Sequence, residues 1–150
     1  MILVAAAMTV ASVIAAILPI DGALRFPGPA VPWQVLGIGL MWVGLGVRVW
    51  AISVLGKHFR TTVEVDAGQP VIDHGPYQWI RHPSYSGVLL LTFGFGLACT
   101  NYVSLLLTTV IPIYAFLRRI NLEERTLVET LGAPYETYRL STKRLVPGIW

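Results

Sequence analysis

The sequence predicts an all-α, polytopic membrane protein with four transmembrane helices, of which the last two form a helical hairpin. Three observations lead to this prediction. Only 13% of the 150 residues are charged and 55% are hydrophobic, whereas a soluble domain carries about 25% charged residues. Apolar segments of about membrane-spanning length occur four times. The basic residues between them fall mainly on one side.

The four apolar segments are residues 2–20, 35–55, 84–100 and 102–117. Residues 2–20 lack a basic start and a small-residue cleavage site, so they are interpreted as a membrane helix and not as a signal peptide. Asn101 alone separates the last two segments, which predicts a tight antiparallel turn. Pro83 suits the first turn of the third helix, where its missing N–H costs nothing. Pro112 is expected to kink the fourth helix.

Small residues are frequent in the second and third segments. They are expected to let these helices approach each other closely. The residues are Gly37, Gly39, Gly44 and Gly46 in the second segment, and Gly87, Gly94 and Gly96 in the third.

Nine of the eleven lysines and arginines lie after the second or fourth segment or just before the third. Cytoplasmic loops carry an excess of basic residues, so this distribution places loop 56–83, the C-terminal tail and both termini in the cytoplasm. The net charge is only +3, and most of the basic residues lie near the ends of the apolar segments. This distribution indicates membrane orientation, so no nucleic-acid partner is expected. Cys99 is the only cysteine, and the three histidines lack a metal-ligand spacing. Neither an internal disulfide nor a metal site is expected.

Loop 56–83 and the tail are predicted to form a binding pocket at the membrane surface. The loop is long and rich in apolar and aromatic residues, which is typical of a functional connection. In the tail, a helix is predicted to continue out of the fourth segment over residues 119–131 and to stop at Gly132-Ala133-Pro134. A short second piece over residues 135–140 follows.

The first polar cluster, residues 75–87, contains a Gly-Pro-Tyr turn followed by Arg81, His82 and Tyr85. Taken singly, each of these residues is explained better as an interfacial anchor. The whole run indicates an anion site, because a helix start offers backbone N–H groups beside Arg81 and His82. Tyr77 and Tyr85 are expected to stack on a heterocycle or to face a cation.

The second polar cluster is residues 118–124. Arg119 and Glu123 share one helix face, either as a surface ion pair worth about 0.3–0.5 kcal/mol or as ligand contacts. Glu123 and Glu124 point about 100° apart. One is therefore expected to hold a ligand's ammonium group while the other packs against an arginine or the loop. The two clusters are predicted to close over one small charged ligand. Arg48 is expected to snorkel to the interface.

Several motifs follow one another along the chain: Gly75-Pro76-Tyr77, Arg81-His82-Pro83-Ser84-Tyr85-x-Gly87, Arg119-x-x-x-Glu123-Glu124-x-x-Leu127, Leu131-Gly132-x-x-Tyr135-x-x-Tyr138 and Pro147. In this order they resemble the isoprenylcysteine carboxyl methyltransferase family, and phospholipid methyltransferases share a similar pattern. The resemblance covers about residues 45–147 of what is predicted to be a single domain, residues 1–150.

The resemblance implies a membrane methyltransferase that uses S-adenosyl-L-methionine and acts on a prenylated or similar lipophilic molecule among the membrane lipids. It implies that Arg119, the catalytic candidate, meets the carboxylate of the substrate. It also implies that the loop and tail pocket holds the cofactor, with contacts from Gln69, Pro70, Val71, Ile72, Tyr77, His82, Pro83, Ser84, Tyr85 and Glu123.

The residues agree with this chemistry. Methyl transfer from a sulfonium needs positioning and exclusion of water more than an acid or a base, so the lack of a Ser/His/Asp constellation is expected. Three alternatives stay open: a phospholipid amine methyltransferase, a sterol-type reductase with a related Arg-His motif, and a non-catalytic membrane scaffold. The sequence does not determine the oligomeric state.

Overall fold

The computed structural model describes residues 24–56 and 70–149, together with six helical positions between residues 6 and 17. No strand occurs among these described residues, so the predicted all-α class is confirmed for them. The elements are α1 (Ala30–Leu55), a 3₁₀ turn (Gly75–Gln78), α2 (Pro83–Ala98), α3 (Tyr102–Leu131) and α4 (Ala133–Ser141).

Two of the described helices, α1 and α3, are long and apolar enough to cross a membrane, and α2 is a shorter apolar helix. The predicted segment 35–55 lies within α1, which begins earlier, at Ala30. Pro83 lies in the first turn of α2, as the sequence predicts. The first predicted segment, residues 2–20, lies largely outside the described residues.

Helices α1 and α2 approach each other most closely at two pairs of glycines. A β-carbon on Gly37 would lie 2.5 Å from the carbonyl oxygen of Gly94, and one on Gly44 would lie 2.5 Å from that of Gly87. The pairs follow opposite orders along the two helices, so α1 and α2 are antiparallel. Backbones at this distance gain van der Waals and weak Cα–H···O contacts, which hold apolar helices together where burial of apolar surface cannot.

We expect Gly44→Ala to destabilise the protein by about 1–3 kcal/mol, because the added methyl group would overlap the backbone of α2. Gly46→Ala is the matched control, since no described residue lies within 4 Å of the β-carbon it would add. That variant is expected to be neutral or slightly stabilising, because alanine is the better helix former by about 1 kcal/mol. Thermal unfolding in detergent measures both, and equal melting temperatures would contradict the close packing.

Residues 99–101 connect α2 to α3. The Asn101 Oδ1 atom accepts a hydrogen bond from the N–H of Ser104 at 2.7 Å, which caps the start of α3. Thr100 adopts a left-handed backbone conformation with a φ of 56°. The glycine at position 96 lies against Ser104 and Thr108, so α3 packs beside α2 from its first turns onward.

Beyond its apolar part, α3 continues to Leu131, which confirms the predicted helical extension. The chain then turns at Gly132, whose φ of 61° is a left-handed conformation that glycine adopts without strain. Tyr135 and Tyr138 on α4 are buried. The hydroxyl group of Tyr138 donates to the backbone carbonyl of Tyr77 at 2.7 Å, which attaches α4 to the 3₁₀ turn.

The chain after α4 pairs with the segment that leads into α2. The N–H of Arg81 donates to the carbonyl of Lys143 at 2.7 Å, and the N–H of His82 donates to that of Arg144 at 3.0 Å. The N–H of Lys143 donates in turn to the carbonyl of Trp79 at 3.2 Å. These bonds fix the C-terminal tail beside the start of α2, where the polar residues gather.

Candidate functional site

The two predicted polar clusters are in contact, and Tyr85 joins them. Its hydroxyl group donates to Glu123 Oε2 at 2.6 Å and accepts a hydrogen bond from Nε of Arg119 at 2.6 Å. Tyr85 lies in the first turn of α2, and the other two residues lie one turn apart on α3. A guanidinium and a carboxylate are therefore held at a fixed separation by one phenol.

Aromatic and aliphatic side chains support this trio. The Tyr85 ring stacks on Phe116 with 4.8 Å between the ring centroids, and on His82 with 5.5 Å. Phe116 and Ile120 form a buried cluster with Leu145 from the tail, and Tyr85 packs against it. This cluster fixes the orientation of the phenol and keeps water away from one side of the site.

Glu124 lies in a separate, buried network, with 4% of its surface exposed. Its Oε1 atom is 2.8 Å from Nε of Arg81 and 3.3 Å from Nε2 of His82. Its Oε2 atom accepts from Nε and Nη2 of Arg144 at 3.2 and 3.0 Å. Of the two adjacent glutamates, Glu124 is thus the one that packs against arginines. Glu123 is half-buried and is the one available to a ligand.

The ionisation of Glu124 follows from these contacts. Burial raises the pKa of this carboxyl group, but the hydrogen bonds from His82 and Arg81 and the charge of Arg81 outweigh burial, so the pKa falls to about 2. Glu124 belongs to the part of α3 that extends beyond the apolar segment 102–117. It is therefore an anion at neutral pH, and it links the segment before α2 to the tail.

The guanidinium group of Arg81 makes several hydrogen bonds within the protein. Besides Glu124, it donates to the backbone carbonyl of Arg139 at 3.1 Å and to that of Thr142. The His82 side chain is 6% exposed and faces the same glutamate. Arg81 and His82, which were predicted to bind an anionic ligand, therefore contact the carboxylate of Glu124. Local sequence spacing did not indicate this contact.

Three other predicted cofactor residues lie around the start of α2. Tyr77, Pro83 and Ser84 are buried. The Ser84 hydroxyl accepts a hydrogen bond from Nη1 of Arg48 at 3.2 Å. Arg48 was expected only to snorkel to the interface, and the structure adds this contact with α2. Nothing in the local sequence around Arg48 pointed to α2, because the two residues lie on different helices.

The remaining predicted cofactor residues precede the 3₁₀ turn. Pro70 is exposed, Val71 and Ile72 are half-buried, and Gln69 lies outside the described residues. The assignment of all these residues to a cofactor stays a prediction.

Sequence reasoning did not assign a role to Arg144 or to Tyr135. Arg144 completes the network around Glu124, and Tyr135, on α4, is buried with 4% of its surface exposed. The only available signal for Tyr135 was the Tyr135-x-x-Tyr138 spacing in the family pattern. That spacing alone did not distinguish a packing role from a binding role.

A cleft of about 410 Å³ opens beside Glu124, within the size range of small-molecule sites. Its lining is mainly charged, which suits a polar ligand or the polar end of a larger one. The lining residues are Asn121, Glu124, Arg125, Val128, Glu129, Arg139 and Arg144.

Comparison with known proteins gives a consistent family assignment. The model of the isoprenylcysteine carboxyl methyltransferase (ICMT) family matches residues 37–129, which include Tyr85, Arg119 and both glutamates. Protein-S-isoprenylcysteine O-methyltransferase A of Arabidopsis thaliana is 31% identical over 128 residues, which are 83% of this chain and 65% of that protein. The Schizosaccharomyces pombe protein-S-isoprenylcysteine O-methyltransferase is 30% identical over 131 residues, covering 83% of this chain and 56% of that protein.

A solved structure shares the fold. The eukaryotic intramembrane Ras methyltransferase ICMT superimposes with a TM-score of 0.74 at 25% sequence identity, and the match covers 98% of this chain and 52% of that chain. The chain thus spans about half of the solved structure, and 65% and 56% of the lengths of the Arabidopsis and Schizosaccharomyces relatives.

Proposed function

Because the chain belongs to the isoprenylcysteine carboxyl methyltransferase family, we propose that it is a membrane methyltransferase. In this proposal it transfers the methyl group of S-adenosyl-L-methionine to a lipophilic acceptor, and the acceptor group is the carboxylate of a prenylcysteine-like molecule. The observation that carries the proposal is the hydrogen-bonded chain Arg119–Tyr85–Glu123. It holds a group that recognises carboxylates beside a group that recognises ammonium ions.

The polar groups at Glu123 and Tyr85 suit the proposed cofactor. S-adenosyl-L-methionine, when bound, would supply a methyl group on its sulfonium sulfur, which an acceptor oxygen would attack in line as the carbon–sulfur bond breaks and the thioether leaves. The half-buried carboxylate of Glu123 binds the ammonium end of this molecule, and the phenol of Tyr85 keeps that carboxylate in place. Around it we assign cofactor contacts to residues 69–72, Tyr77 and His82 through Tyr85.

Arg119 positions the acceptor in this proposal. Its planar guanidinium can bind both oxygens of a carboxylate through charge-assisted hydrogen bonds. The Nε contact to Tyr85 fixes the plane of the guanidinium, which lowers the entropy cost of orienting the substrate. Phe116 and the Tyr85 ring exclude water from one side, which favours displacement by the bound acceptor.

The family match favours methyl transfer over the sterol-type reductase and the non-catalytic scaffold. The phospholipid amine methyltransferase differs in its acceptor, because a neutral amine would gain nothing from the Arg119 guanidinium. Incubating membranes with labelled S-adenosyl-L-methionine and identifying the labelled product separates these acceptors.

We propose that the chain crosses the membrane four times, with the site and both termini on the cytoplasmic side. The support is the length and apolarity of α1 and α3 and the basic residues at the ends that carry the site. Cysteine accessibility at Lys143, in the tail, tests this orientation in intact cells: labelling of Lys143→Cys from outside the cell would contradict it.

Glu123→Gln is expected to weaken binding of S-adenosyl-L-methionine about tenfold, because a neutral amide lacks the negative charge that pairs with the ammonium group. Isothermal titration calorimetry of the purified protein in detergent measures the affinity. Glu136→Gln is the matched control, since Glu136 is an exposed carboxylate on α4 and its loss should leave the affinity unchanged. Equal affinities for wild type and the Glu123 variant would contradict the assigned role.

A further inference from the structure

The carboxylate at the amino-acid end of the cofactor needs a hydrogen-bond donor close to Glu123. The start of α2 was the predicted donor, yet most of its backbone N–H groups are already used. The backbone N–H groups of Tyr85 and Ser86 donate to the carbonyl of His82 at 3.0 and 3.1 Å. The N–H of His82 donates to the tail, as described above, and Pro83 has no N–H. The N–H of Ser84 remains for one carboxylate oxygen, and the second oxygen needs a further donor.

Tyr135 carries such a donor. Its side chain is 4% exposed, and within the described part of the chain its hydroxyl group is buried without any hydrogen-bond partner. Buried polar groups are nearly always paired, because losing water without gaining a partner is costly. A native hydroxyl group left unpaired in this way indicates a partner that arrives from outside the protein.

Tyr135 lies beside Tyr138 on α4, with 5.9 Å between the ring centroids, and Tyr138 binds the backbone carbonyl of Tyr77, one of the residues assigned to the cofactor. Burial raises the pKa of the Tyr135 hydroxyl above its usual range, and the nearby charge of Glu124 raises it further. The charge of Arg81 lowers it and that of Glu123 raises it. The phenol is thus a protonated donor at physiological pH that lies within electrostatic range of both glutamates.

We propose that Tyr135 is a further ligand-binding residue of this site, and that its hydroxyl group donates a hydrogen bond to the carboxylate of bound S-adenosyl-L-methionine. This inference rests on the proposed function. The ammonium and carboxylate groups of the cofactor are attached to one carbon atom, so a ligand held by Glu123 brings its carboxylate next to the glutamate pair. Arg81 and Arg144 offset part of the charge of Glu124.

The experiment compares wild type and Tyr135→Phe, with calorimetry of S-adenosyl-L-methionine and of its decarboxylated analogue. Wild type is expected to prefer the carboxylate-bearing molecule. Tyr135→Phe is expected to bind it about tenfold more weakly and to bind the analogue with unchanged affinity. The melting temperature of the ligand-free variant should stay equal or rise, because the substitution removes an unpaired buried group.

Tyr138→Phe is the matched control. Its hydroxyl group has a structural partner, the carbonyl of Tyr77, so this variant should lower the melting temperature and leave the preference between the two ligands intact. The inference is overturned if Tyr135→Phe retains the wild-type preference, or if it only loses stability as the control does. If wild type binds neither ligand, the proposed function itself fails, and this inference fails with it.

Discussion

Arg119→Ala is expected to lower kcat/KM for a carboxylate acceptor by about 100-fold, a loss typical of removing one preorganised donor from an active site. The affinity for S-adenosyl-L-methionine should stay close to that of wild type, because the proposed cofactor contact is made by Glu123. A methyl-transfer assay with a prenylcysteine-like acceptor, combined with calorimetry of the cofactor, measures the two effects separately.

The physical reason lies in the geometry around Tyr85. Its hydroxyl group accepts from Nε of Arg119, which orients the guanidinium. Alanine removes both the positive charge and the fork of donors, so the acceptor carboxylate loses its orientation and its compensating charge.

Arg118→Ala is the matched control for this prediction. Arg118 is exposed, and its Nε donates to the hydroxyl of Tyr114 at 3.2 Å. It also lies on a different face of α3, so its loss should leave kcat/KM unchanged. Arg119→Lys keeps the positive charge but loses the two parallel N–H donors of the guanidinium, so it should retain only part of the activity. If Arg119→Ala impaired an amine acceptor and a carboxylate acceptor equally, the carboxylate role would be wrong.

Glu124→Gln is expected to destabilise the protein by about 3–5 kcal/mol, the usual effect of removing one partner from a buried ion pair. The carboxylate contacts Arg81 and Arg144 and the His82 ring, and the amide would leave buried positive charge without an anion. The segment before α2 and the tail would then lose their common anchor. Thermal unfolding in detergent is the measurement, with circular dichroism to confirm that the variant retains its helices.

Glu129→Gln provides the comparison on the same helix. Glu129 is exposed, and such surface changes usually alter the free energy of unfolding by less than about 0.5 kcal/mol. If the two glutamine variants melted at the same temperature, the network around Glu124 would not be the anchor that its geometry indicates.

The elements of the fold could be predicted because their signals are local. The apolar segment 35–55 lies within α1, Pro83 starts α2, and the turn at Gly132 ends α3 where the sequence indicates. Each of these signals depends on the transfer free energy of neighbouring side chains or on backbone conformations that proline and glycine favour.

The glycines show what such local signals cannot predict. All were expected to allow close helix packing, yet the described helices meet only at some of them. Gly37 and Gly44 contact α2, whereas no described residue lies within 4 Å of a β-carbon at Gly39 or Gly46. Composition identifies a helix that can pack closely, but the face that packs depends on the partner helix.

The sequence by itself determined the helical membrane character of the chain, its two polar clusters and the family to which it belongs. Only the tertiary structure decided how the polar groups are distributed: Glu124 binds the arginines, Glu123 faces Tyr85, and the Tyr135 hydroxyl has no partner among the described residues. The reason is physical, since Arg81 before α2 pairs with Glu124 on α3, 43 residues away in the chain, and the energy of a buried charge depends on every group around it. Spacing along a chain reports neighbours within a few turns, and it cannot report which distant residue completes a buried network.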